Sequence, residues 1–134
     1  MAKTKEMAKP KEDDSSKADL SKIKLHPRGK GQYTFGFLCP YGDENYQVNA
    51  ISKIGVIWKG GPIVPYNARL LVVDIQAWAC IYVIFGSQHF PAGQNLYQWT
   101  IPTNWLQQFN HRQVCLYIDT PSGDYCYSQN FLIS

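Results

Sequence analysis

The chain has 134 residues, enough for one ordinary domain that folds around its own core without an obligatory metal or staple. Its charge is unevenly placed: residues 1–30 hold nine Lys/Arg and five Asp/Glu, which leaves four bases and five acids for the rest, so the net +3 belongs to the leader. No apolar run is long enough to cross a bilayer or to form the core of a signal peptide.

The leader carries Pro10 and Pro27, no aromatic residue and little apolar surface to offset its ordering entropy, so residues 1–32 are expected to form a disordered, Lys-rich arm. Mixed signs and the acidic cluster Glu12, Asp13 and Asp14 dilute the arm's basicity, and no nucleic-acid partner is expected.

From residue 33 the grammar becomes that of short strands, rich in β-branched and aromatic residues and broken by Gly, Pro and Asn. A first strand runs to Pro40, with a turn at Gly42-Asp43. The next places Ile54, Val56 and Trp58 on one face and stops at Gly60-Gly61-Pro62. Strands follow in ARLLVVDIQ and in ACIYVIFG, the latter ended by Gly86, then a loop over HFPAGQN and a strand in LYQWTIP cut off by Pro102. TNWLQQFNH reads as a turn or one helical turn, and RQVCLYID with YCYSQNFLI reads as a hairpin across TPSGD.

With Ser122-Gly123 at the turn centre, Ile118 faces Tyr127, Leu116 faces Gln129 and Val114 faces Phe131, giving one apolar and one polar face. About seven such strands predict an all-β, immunoglobulin-like antiparallel sandwich over residues 33–134, with a small barrel as the alternative.

Cys39, Cys80, Cys115 and Cys126 are an even number in a small β-rich domain, which suits an oxidising compartment, and they contain no C-x-x-C zinc pair. In the register above, Cys115 and Cys126 share a face without being opposite, so a bridge is expected to join one of them to Cys39 or Cys80.

Candidate acids for hydrolysis are Asp43, Glu44, Asp74, Asp119 and Asp124. Those beside turns are expected to bond their own backbone, and His89 and His111 read as surface histidines. No cofactor, metal or enzymatic activity is expected.

Trp58 and Trp99 fall on strand faces and read as core. Trp78 and Trp105 lie near strand ends beside Gln76, Asn104, Gln107 and Gln108, a pairing of flat rings with amides that would suit a sugar-stacking or protein-contact patch. Trp78, Trp105, Gln107 and Asn104 are accordingly the candidate ligand-binding residues, with plugging of the sandwich ends as the competing role.

The order of these signals resembles the fungal Kre9/Knh-like domain of Ser/Thr-rich, glycosylphosphatidylinositol-anchored cell-wall proteins. The likeness rests on Pro40, Gly42, Tyr46 and Trp58, on Tyr97, Trp99, Ile101 and Pro102, and on Tyr127, Ser128, Phe131 and Ile133, covering roughly residues 35–134. It implies an extracellular or cell-wall module that contacts polysaccharide or another surface protein. The Lys-rich leader stands where the family has a signal peptide, and the family's Ser/Thr-rich stretch and anchor signal are not seen, so localisation is open. The alternative expectation is an intracellular interaction domain whose basic arm steers it to an acidic partner.

Overall fold

Alternation of large apolar side chains with smaller or polar ones drives most of the described residues into strands. The computed structural model describes residues 20, 22–27, 35–40, 42, 44–48, 53–109 and 113–134. These form β1 (Phe35–Cys39), β2 (Asn45–Tyr46), β3 (Lys53–Gly60), β4 (Tyr66–Asp74), β5 (Ala79–Phe90), β6 (Asn95–Thr100), the helical turn α1 (Trp105–Gln108), β7 (Gln113–Asp119), β8 (Tyr125–Tyr127) and β9 (Phe131–Ile133). Nine strands replace the expected seven or so because a two-residue β2 is added and the last strand is split in two.

The strands make the expected all-β sandwich. One sheet has the order β1-β3-β6; the other runs β2-β9-β7-β4-β5, with β8 also paired to β7. All pairings are antiparallel except β2 with β9.

Between the sheets, Ile54, Val56, Trp58 and Trp99 from the smaller layer meet Leu70, Val72, Leu116, Ile118 and Phe131 from the larger one. Trp58 is fully buried and Trp99 nearly so, as their strand positions predict. The Trp58 indole N–H donates to Tyr66 Oη at 2.9 Å, and Asn95 Nδ2 donates to the same oxygen at 3.2 Å. One phenol on the larger sheet thus satisfies two donors of the smaller sheet inside an apolar layer.

Two corrections to the strand reading have local causes. Gly86 does not end β5, which continues to Phe90; the register shifts between Leu70↔Phe85 and Ala68↔Gln88, so Gly86-Ser87 form a bulge inside the strand. The closing hairpin is displaced by one residue, with Tyr117↔Tyr127, Ile118↔Cys126 and Asp119↔Tyr125.

The displacement comes from the turn. Gly123 N–H bonds Thr120 O and Thr120 N–H bonds Asp124 O, closing a three-residue loop with Gly123 at φ 100° rather than the two-residue loop assumed. An odd loop reverses the facing of every residue beyond it. One extra residue between Ser128, which bonds Leu116 in both directions, and Phe131 then restores the expected Val114↔Phe131 pair.

The second face of the larger sheet is consequently apolar too. Leu71, Val73, Cys80, Cys115, Tyr117 and Tyr127 form a separate cluster there, covered by Leu20, Ile23, Leu25 and Trp78. Residues 20 and 22–27, assigned to the arm by composition, therefore lie on the sheet. Their three aliphatic side chains find a face that the displaced register makes sticky. The rest of the arm lies outside the described residues.

Replacing Tyr66 by Phe removes the acceptor shared by Trp58 and Asn95 and leaves a buried indole N–H unpaired. The expected cost is about 1–3 kcal/mol, read as a lower urea midpoint at constant slope.

Candidate functional site

The strand directions sort the connections into two ends. At one end lie the β3–β4 loop (residues 61–65), the β5–β6 loop (residues 91–94) and the β7–β8 turn (residues 120–124). At the other lie the β4–β5 turn and the segment carrying α1.

The first end holds two adjoining clefts of about 260 and 290 Å³ that share Asn67, Thr120 and Pro121. Gly60 and Gly61, at φ 86° and 84°, turn the chain sharply between β3 and the loop. The loop then presents Pro62, Ile63, Val64 and Pro65, with Ile63 93% and Val64 59% exposed. Beneath it lie Tyr66, Asn67, His89, Pro121 and Ser122.

The bulge at Gly86-Ser87 and the pair Arg69 and Asp119 line the neighbouring cleft. His89 Nδ1 lies 3.1 Å from Asn67 Oδ1. The turn is braced by Ser122 Oγ donating to Asp124 Oδ2 at 3.0 Å and by Asp124 N–H donating to Thr120 Oγ1 at 3.2 Å.

Arg69 and Asp119 lie directly opposite on β4 and β7. Arg69 Nε reaches Asp119 Oδ1 at 2.8 Å and Nη2 reaches Oδ2 at 3.0 Å, a two-point pair, while Tyr117 Oη donates to Oδ2 at 2.8 Å. The Asp119 hydrogen bond holds the Arg69 guanidinium above its ordinary value, outweighing desolvation. Burial pushes the Tyr117 phenol up, reinforced by its bond to Asp119. Asp119 was expected to bond its own turn; it bonds across strands instead, a pairing between elements 50 residues apart that no local pattern displays.

The Asp124 carboxylate stays within its turn but accepts from the Thr120 and Ser122 hydroxyls rather than from backbone, while Asp74 Oδ2 accepts from Ala77 N–H at 2.9 Å. Glu44 accepts from the Tyr46 hydroxyl. Asp43 and His111 lie outside the described residues.

The aromatic candidates sit at the opposite end, and the structure does not bring them together. Trp105 is fully buried between the sheets, its ring 5.5 Å from Trp99 and 4.4 Å from Phe109, so it plugs the sandwich and offers no surface for stacking. Asn104, Gln107 and Gln108 around it are exposed. Trp78 is half-buried on the outer face of the larger sheet, its ring 5.0 Å from Tyr127 and its backbone at φ 53°. Gln76 in the same turn is exposed. The sheet itself separates the two indoles. The cleft at the other end was missed because Pro, Asn, Thr and Ser there read only as loop chemistry.

No disulfide joins Cys39, Cys80, Cys115 and Cys126. Cys115 belongs to the outer cluster and Cys126 to the inner one, so the one-residue displacement places the sheet between them and corrects the shared face expected above. Cys80 and Cys115 flank Val73 from the two neighbouring strands, about 9–10 Å apart by strand spacing and beyond disulfide reach. Among the described residues no group of three or more His, Cys, Asp or Glu is placed to hold a metal ion. No helix there is long and apolar enough to cross a membrane.

No family model and no curated protein matches the chain. Among solved structures, the crystal structure of an engineered protein is similar with a TM-score of 0.47 and 10% identity, over 77% of this chain and 20% of that one. The chain thus spans about a fifth of that protein's length.

Burial pushes the Cys80 thiol up from 9.0 to about 11. The folded chain keeps a proton there that the unfolded chain releases first, so stability is intact below pH 9 and is lost as pH rises through 9 toward 11. Tyr117 adds to the fall above its ordinary value of 10.0. Urea midpoints measured at about pH 8 and about pH 10.5 are expected to drop, and to drop less in Cys80→Ala. An equal drop in both proteins would assign the loss to other groups.

Proposed function

We propose that the chain is a non-catalytic recognition module of the Kre9/Knh-like, cell-surface or cell-wall kind, contacting polysaccharide or another surface protein through its three-loop end. The observation that carries the reading is the exposure of Ile63 and Val64 on the loop whose Pro62, Val64 and Pro65 wall a cleft together with Tyr66 and Pro121. Apolar side chains held in water above a concave surface mark a place that a partner covers. The prolines and Tyr66 supply flat apolar area, and Asn67, Ser87, Thr120 and Ser122 supply directed hydrogen bonds, a mixture suited to a sugar ring or a surface loop. Asp119 and Asp124, the carboxylates nearest the cleft, are engaged in the ion pair and the turn, which supports recognition over acid–base chemistry.

Ile63→Asp combined with Val64→Asp is expected to reduce retention on insoluble β-glucan at least tenfold, with the urea midpoint shifted by no more than about 0.5 kcal/mol equivalent. Unchanged retention removes the loop end from the contact. Wild-type retention no greater than that of an inert β-sandwich removes the glycan.

The second reading, an intracellular interaction domain with a basic arm, is favoured by the cysteine placement, since Cys115 and Cys126 face different clusters and Cys80 is out of reach of Cys115. It entails four titratable thiols in protein taken from its source and denatured without reductant. A bridged pair favours the surface module.

A further inference from the structure

Residues 20 and 22–27 lie on the outer face of the larger sheet in the manner of a bound peptide. Among the described residues the segment adds no strand to the sheet; its one internal backbone bond is a turn from Ile23 N–H to Leu20 O at 3.1 Å. Leu20, Ile23 and Leu25 anchor it on the cluster around Leu71, Val73, Tyr117 and Tyr127, while Lys22 and Lys24 point to solvent.

Its main chain is read by side chains. Tyr127 Oη donates to His26 O at 2.6 Å, His26 N–H donates to Tyr117 Oη at 3.2 Å, and Arg69 Nη2 donates to Lys24 O at 3.3 Å. The His26 ring stacks on Tyr125 at 4.4 Å and 15°.

The receiving groups are also tied to one another, Tyr117 to Asp119 and Asp119 to Arg69 by two bonds. The face therefore keeps its shape when the segment lifts. Among the described residues the covering is held by three main-chain contacts and three aliphatic anchors with no ladder, which belongs to the low-stability end of a fold's local openings.

We infer that this face is a peptide-binding site and that Leu20 with residues 22–27 is its ligand in cis. The partner it fits is a peptide with aliphatic residues at its first, fourth and sixth positions and a flat ring at its seventh, turning once between the first two anchors. The site is a different surface from the three-loop end, and its test does not depend on that reading. Tethering gives the cis segment an effective concentration on the order of millimolar, so a peptide in trans competes poorly until the tethered copy is weakened.

The test uses the full chain carrying Ile23→Asp and Leu25→Asp, titrated against a fluorescent peptide of sequence DLSKIKLHP (residues 19–27). The variant is expected to bind at least tenfold more tightly than wild type, and addition of Tyr127→Phe is expected to weaken that binding. Equal affinity for both proteins, or no binding to a variant whose circular dichroism is native, overturns the inference. A wild-type dimer in light scattering, dissociated by the double substitution, overturns it in favour of exchange between two copies. Should the variant lose native structure, hydrogen exchange of wild type decides. Amides of residues 22–26 exchanging at least tenfold faster than those of β4 and β7 support the inference, and exchange in step with those strands overturns it.

Discussion

The facing of Tyr125, Cys126 and Tyr127 is set by the length of the loop at Pro121–Gly123, and both sides of the larger sheet depend on that setting. Three loop residues, closed by Gly123 in the left-handed region, send Cys126 inward and Tyr127 outward. A strand residue cannot face both ways, so a two-residue loop would bury Tyr127 among Leu116 and Ile118 and turn Cys126 toward Tyr117. The outer tyrosine layer would then be incomplete, and the covering segment would lose the hydroxyl that holds His26 O. The extra residue before Phe131 confines the change to β8 and returns β9 to the core with Phe131 and Ile133 fully inward.

Arg69 and Asp119 connect the two surfaces described above. The pair lines a cleft at the three-loop end, and Arg69 also reaches Lys24 O beneath the covering segment. A two-point ion pair with a phenol as third partner is directionally specific, and its charges are only partly withdrawn from water: the side chains are 33% and 8% exposed. Its worth lies in positioning more than in stability, because exposed guanidinium groups gain little net energy from pairing. The same pair fixes the floor of the cleft and the height of the docked segment.

The sandwich was legible in the sequence because period-two alternation is a local signal, as Ile54, Val56 and Trp58 show on β3. The displaced hairpin was not, since Ser-Gly suits both a two-residue and a three-residue loop and only the hydrogen bonds of Thr120 choose between them. The docking of Leu20 and residues 22–27 escaped a composition argument because three aliphatic side chains among lysines look insufficient until a matching face exists. Trp105 takes the plugging role its sequence also allowed: a Trp beside Asn and Gln reads as amphipathic, and α1 turns the indole inward while Asn104 and Gln107 stay in water. Cross-strand pairs such as Arg69 with Asp119 need the sheet order, which no segment of the sequence states by itself.

The bulge in β5 carries one more consequence. Among the described residues β5 is the terminal strand of its sheet and spans twelve residues, long enough to template the addition of a foreign strand and so begin fibre growth. Its three register shifts against β4, each adding one residue to β5 and one of them at Gly86-Ser87, kink the margin and interrupt the row of outward amides and carbonyls. The irregularity that shapes one wall of the cleft also guards the chain against self-association along its longest open border.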